Sequence, residues 1–217
     1  MLATIREATL FDVPLAFVWV AFLIELTPGP NMTYLAVLSL VEGRRAGFLT
    51  VAGIASGLLF VGVLAAFGVA AFVSGSPFLY ELLRWLGVLY MGWLAYDIWR
   101  GHEASDADEA STASTSGTHF VRGFLTNILN PKAAVFYVAV LPEFVNSELP
   151  ILRQTLGLSI AYTLIATIVH AAIVALASRM RPLLQDAHRM QIVRRVLAIA
   201  LLFVAIWLLF STAPTND

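Results

Sequence analysis

The chain is 217 residues long, 59% apolar and 12% charged, against roughly 45 to 50% apolar and about 25% charged in ordinary soluble domains, so a water-soluble globule is excluded. Its apolar residues suffice for about six bilayer crossings of roughly 20 residues each. Thirteen basic and fourteen acidic residues leave a net charge of −1, without the basic field that nucleic-acid binding needs, and the lack of cysteine excludes thiol catalysis, disulfide relays and thiolate metal sites.

The first apolar stretch, Val13 to Leu40, carries one charge, Glu25, and is broken by Thr27-Pro28-Gly29-Pro30-Asn31. Proline removes a backbone donor and clashes with the preceding turn, so Pro28 and Pro30 are expected to free the carbonyls of Ile24 and Leu26. The leader holds only Arg6 beside Glu7 and Asp12, and Thr-Pro-Gly-Pro follows the apolar run in place of an A-x-A site. This reads as a retained span rather than a cleaved signal peptide.

The second run, Ala46 to Tyr80, has 35 residues without a formal charge. Gly43-x-x-x-Gly47 and Gly53-x-x-x-Gly57 place small residues four apart, a pattern that lets helix backbones approach closely, within the chain in preference to the alternative of a dimer interface. A third span runs from about Phe78 to Trp99, with Arg84 and Asp97 near its ends and Asp97 in reach of Arg100. Residues 101–119, rich in Ser, Thr, Ala and Gly, read as a flexible linker. The fourth stretch, Gly123 to Leu141, carries only Lys132 and is broken at Asn130-Pro131, where Pro131 is expected to free the carbonyl of Asn127. Charge-free runs of 25 residues from Gln154 to Ser178 and 21 from Val196 to Asn216 complete the set.

The expected fold is an all-α integral membrane protein. It has six transmembrane helices in two inverted three-helix halves, and proline breaks the first helix of each half. Residues 1–100 form the first half, 101–119 a cytoplasmic linker and 120–217 the second half of one transport domain. Nine arginines fall in the one-to-two, three-to-four and five-to-six connections and three on the opposite side. The positive-inside rule therefore places both termini outside the cytoplasmic (inner) membrane. Three spans per half require inverted topology, and broken segments at matching positions of two halves point to a midplane binding site.

Thr27-Pro28-Gly29-Pro30-Asn31, the glycines through Gly57, and Asn127-x-x-Asn130-Pro131-Lys132-Ala133 with Phe136 resemble the LysE/RhtB-type amino-acid exporters over nearly the whole chain. The resemblance implies a compact six-helix bundle and secondary export of amino acids or their derivatives. The related membrane thiol-transfer proteins need paired cysteines and are set aside.

In this reading the helix pieces restarting at Asn31 and at Lys132 point N-terminal ends at the breaks, where unsatisfied N–H groups and partial positive charge hold a carboxylate. Lys132 adds a full charge; Asn31, Asn127 and Asn130 add donors and acceptors; Pro28, Gly29, Pro30 and Pro131 shape the breaks. Glu25 lies near the C-terminal end of its half-helix in apolar surroundings, both of which disfavour its ionised form. It is the candidate proton-coupling or amine-binding group, the alternative being a purely structural Glu25–Lys132 pair. His170 with Thr167 lines one face of the fifth span, either facing a cavity or hydrogen-bonded between helices.

Substrate amino acid, protons and lipid are the expected partners, with association into a homo-oligomer left open and no cofactor called for. A small-cation or metal-ion transporter is the alternative function, although Glu25 is the only acid well inside a span. An enzyme would need a nucleophile with its base or a metal constellation, and neither is evident.

Overall fold

The computed structural model describes residues 9–10, 13–27, 29–68, 76–100, 112–146, 148–181 and 187–211. Apart from a short antiparallel ladder pairing β1 (Thr9–Leu10) with β2 (Val13–Pro14), the described chain is helical. Helix α1 (Leu15–Leu26) stops at the Thr27–Gly29 break, and α2 (Pro30–Val41) restarts with proline at its first position, where the missing N–H costs nothing. The two meet at a bend of 55°. Helix α3 (Arg44–Ala66) follows Gly43, whose φ of 94° needs glycine and whose missing Cβ leaves room for the Arg181 guanidinium.

Helix α4 (Pro77–Arg100) precedes α5 (Thr112–Ile128). Beyond Asn130 comes a short α6 (Pro131–Val135), which continues as a π turn over Phe136–Val140 and a 3-10 turn over Leu141–Phe144. This second broken segment bends by 51°, close to the first. Helices α7 (Ile151–Met180) and α8 (Ala187–Ser211) complete the chain.

Among the described residues, two helices, α3 and α7, are long and apolar enough to cross a bilayer, and each bent pair adds one more crossing if counted as a single span. The protein is thus a multi-pass membrane protein turned inside out relative to a soluble one. Trp19, Phe67, Ile168 and Phe203 are more than 60% exposed, whereas Glu25, Asn31, Asn127 and His170 are buried. Lipid offers backbone and polar groups no partners, so these gather inside.

Two apolar clusters flank them. One joins α1, α3, α7 and the second broken segment through Phe17, Ile54, Leu58, Phe136 and Tyr162. The other joins α2, α4 and α8 through Tyr34, Leu38, Met91, Leu94 and Leu201. Helix α5 lies against α3 at backbone contact: a Cβ on Gly53 would strike the Phe120 carbonyl, and one on Gly123 the Thr50 carbonyl. The glycine spacing read from the sequence is therefore a helix-packing device inside the chain.

Two expectations need correction. Residues 112–119 belong to α5, not to a flexible linker, because His119 is drawn in beside Glu42 and its carbonyl accepts from the Thr50 hydroxyl at 3.3 Å. Residues 101–111 lie outside the described residues. Asp97 reaches across to Arg122, 2.7 Å away on α5, while Arg100 stacks over the Tyr96 ring. A partner on a packed neighbouring helix offers Asp97 a less solvated pairing than one along its own surface.

Candidate functional site

The two breaks come together. The Asn31 side chain, in the first turn of α2, donates from Nδ2 to Oδ1 of Asn127 in the last turn of α5, at 3.0 Å. Lys132, the chain's single lysine, crosses from the second segment and donates to the Thr27 carbonyl at 2.8 Å. Around these contacts lies a polar hollow lined by Glu25, Gly29, Asn31, Asn127, Asn130 and Lys132, with Met32, Ala133, Tyr162 and His170 completing the wall. Its free space admits about one water molecule.

Local chemistry explains how the breaks survive in an apolar setting. The carbonyl of Ile24, expected to be free, accepts from both the Thr27 hydroxyl at 2.6 Å and the Thr27 N–H at 3.1 Å. The Asn127 carbonyl likewise accepts from the Asn130 N–H at 3.0 Å. A buried main-chain group without a partner is costly, so the nearest donor takes it. At the second tip the Asn130 side chain accepts from the Lys132 N–H at 3.0 Å as an N-cap, which leaves less of that helix end for an anion than the sequence suggested. The tip of α2 has no side-chain cap.

Glu25 is 4% exposed at the end of α1. Its Oε1 accepts from the Tyr162 hydroxyl at 2.6 Å, and its Oε2 lies 3.3 Å from Nε2 of His170, both on α7. Glu25 and Lys132 form no direct ion pair, since each is engaged elsewhere. Two groups of opposite formal charge therefore face one hollow from different broken segments. Asn31 Oδ1, Asn127 Nδ2 and His170 Nδ1 are buried there without a hydrogen-bond partner. Unsatisfied buried polar atoms are rare, and several around one hollow make it the candidate site.

Of the residues nominated from sequence, Glu25, Gly29, Asn31, Asn127, Asn130, Lys132 and His170 line the hollow. Pro30 and Pro131 open the helices that frame it, and Pro28 lies outside the described residues. Thr167 is not part of the wall; its hydroxyl donates back to the Thr163 carbonyl at 2.7 Å. Tyr162, Met32 and Ala133 were not among the nominated site residues. Tyr162 precedes His170 by eight residues, about two helical turns, so a shared face was the one available signal. Among the described residues, no group of three or more His, Asp or Glu could hold a metal ion.

A polar, oppositely charged hollow at the junction of two broken segments, enclosed by a lipid-facing bundle, is the architecture of a membrane carrier, not of an enzyme. The chain belongs to the LysE type translocator family, whose model matches residues 22–212. It is 28% identical over 198 residues to the homoserine/homoserine lactone efflux protein of Salmonella typhi, covering 91% of this chain and 95% of that protein. It is 33% identical over 127 residues to the leucine efflux protein of Enterobacter sp. (strain 638), covering 58% and 60% respectively. No solved structure matches it.

Proposed function

We propose that this translocator exports amino acids or amino-acid derivatives across the cytoplasmic membrane in exchange for protons, through the hollow between its two breaks. The observation that carries the reading is the unpaired disposition of Glu25 and Lys132 around a single polar space. A zwitterion matches it, with its ammonium at Glu25 and its carboxylate toward Lys132 and the uncapped tip of α2. One carboxylate cannot hold a proton and an ammonium together, and this mutual exclusion is the minimal device for antiport. The relatives named for efflux of homoserine, its lactone and leucine support a small amino-acid-like substrate.

The matched bends of 55° and 51° support two inverted three-helix halves. In this reading α4 and α8 are the remaining two of six spans, and the distribution of arginines among the connections puts both termini outside. Room for about one water means that loading an amino acid needs one half to move against the other.

The test uses purified protein in proteoliposomes, with labelled homoserine and leucine and an imposed pH gradient. The parent should drive uphill flux of at least one substrate, and Glu25→Gln should abolish the gradient-driven component. Lys132→Met should raise the half-saturating concentration by about tenfold or more, as expected for one lost charge-assisted contact. Glu25→Gln flux with parental rate and pH dependence would remove the carboxylate from the mechanism, and ion conductance without amino-acid flux would favour a cation carrier.

A further inference from the structure

Aromatic rings form a continuous layer that reaches the hollow through Tyr162. Phe17 meets Phe136 edge-on at 5.9 Å and Phe144 at 5.2 Å. Phe136 lies flat against Tyr162, with ring centres 3.6 Å apart and planes within 14°. Tyr137 meets Phe136 and Tyr162 edge-on at 5.6 and 5.9 Å. Phe17, Phe136, Tyr137 and Tyr162 are each at most 2% exposed. Phe17 precedes Glu25 by eight residues on α1, and Phe144 ends the second broken segment. The layer therefore runs from Tyr162, in the wall of the hollow, toward the start of α1 and the end of the second broken segment.

Two of these rings carry hydroxyls, and the two are anchored differently. The Tyr137 hydroxyl donates to the Leu58 carbonyl at 2.8 Å, a fixed main-chain partner on α3. The Tyr162 hydroxyl donates to Glu25, a carboxylate whose charge a proton would cancel and an ammonium would pair. Phe136 also opens the π turn at 136–140, and single π turns within helices re-aim side chains and recur at functional positions.

We propose that Tyr162 is a positioning residue that ties the state of Glu25 to this aromatic seal. While Glu25 is an unoccupied carboxylate, the charge-assisted bond holds the tyrosine ring flat on Phe136 and the layer closed. A proton or substrate ammonium on Glu25 competes for that acceptor, the ring is released, and the hollow opens toward the side of Phe17 and Phe144. An empty site then stays shut, which suppresses leak. The proposal rests on Glu25 being the amine- and proton-binding group.

The chain has no cysteine, so Ala133→Cys places a single thiol in the wall of the hollow. Its labelling by a membrane-impermeant maleimide is followed in sealed vesicles of each orientation. With Ala133→Cys alone, labelling should be slow from both faces. Adding Tyr162→Phe, which keeps the ring and removes the hydroxyl, should raise the rate about tenfold from one face only, as expected for one lost charge-assisted bond. Adding Glu25→Gln instead should open the same face, and the two together should gain no more than either alone, because they break one interaction.

Parental labelling in Tyr162→Phe, equal gains from both faces, or additive gains in the double variant would overturn the proposal. If Tyr162→Phe fails to accumulate, Glu25→Gln carries the test, and parental labelling there is equally fatal. Labelling needs no transport, so a failure of proton-coupled export, read from flux, stays distinguishable from a failure of the seal.

Discussion

Gly53→Ala tests whether the site depends on how closely α5 seats against α3. The added methyl would strike the Phe120 carbonyl oxygen and stand 2.9 Å from both the Phe120 carbonyl carbon and the Phe124 nitrogen, where ordinary contact begins at 3.4 Å. All three are main-chain atoms, so no side chain can turn away, and α5 must retreat by more than half an ångström. Overpacking of this kind costs about 1 to 3 kcal/mol, and alanine returns up to about 1 kcal/mol in helix propensity. A net loss of up to roughly 2 kcal/mol corresponds to a melting temperature lower by up to about 8 °C in a chain of this size.

The functional effect should be larger than the thermal one. Asn127 follows Phe124 by three residues on α5 and is held to Asn31 at 3.0 Å, so a shift of that size breaks the contact between the two breaks. The control is Gly92→Ala on α4, where a Cβ would meet nothing within 4 Å. Thermal unfolding in detergent and proteoliposome flux are measured for both variants. A Gly53→Ala protein that melts and transports like Gly92→Ala would refute the claim that backbone-close packing of α3 and α5 holds the site together.

Asp97→Asn should destabilise the fold by about 1 to 3 kcal/mol, between the values for surface and fully buried pairs, because Asp97 and Arg122 are only 15% and 20% exposed and 2.7 Å apart. The exchange Asp97→Arg with Arg122→Asp should recover part of that loss, and a single variant melting like the parent would show the pair to be idle. Asn130→Ala removes the side-chain cap on the Lys132 N–H and should cost about 1 kcal/mol in thermal unfolding. Because Lys132 then sits in a looser turn, half-saturation should rise with little change in maximal flux; a change in maximal flux alone would argue against that role.

The positions of the breaks and the charges beside them were legible because bilayer chemistry makes exceptions conspicuous. Glu25 and Lys132 stand out in apolar stretches, and prolines at 30 and 131 open new helices where a clash with the preceding turn requires it. The Gly53 and Gly57 spacing was legible for the same reason, since small residues in a span imply a close neighbour. Tyr162 was not, because an aromatic in an apolar helix looks like ordinary core, and only its juxtaposition with a residue 137 positions away gives its hydroxyl a role. The Asp97–Arg122 pair was hidden likewise, as a local alternative at Arg100 satisfied the spacing rule while the packing of α4 beside α5 could not be read.

What the breaks contribute also differs from what proline chemistry alone implies. Helix interruption exposes main-chain carbonyls, and at membrane depth these could themselves have been the recognition groups. Here Thr27 and Asn130 repair the Ile24 and Asn127 carbonyls within one turn, and Lys132 takes the carbonyl of Thr27. The break therefore stands without a ligand, and the polar capacity left over belongs chiefly to side chains: the amides of Asn31 and Asn127, the imidazole of His170 and the carboxylate of Glu25. Recognition by side chains can be retuned by substitution while the backbone of the break is kept. On this argument, exchanging Met32 and Ala133 in the wall should alter which substrate is preferred without abolishing transport, whereas Thr27→Val, which strips one donor from the Ile24 carbonyl, should weaken transport of every substrate alike. Flux measured for a panel of amino acids in the three variants decides it: uniform loss in Met32 and Ala133 variants, or a selective loss in Thr27→Val, would show that the main chain is the recognition element after all.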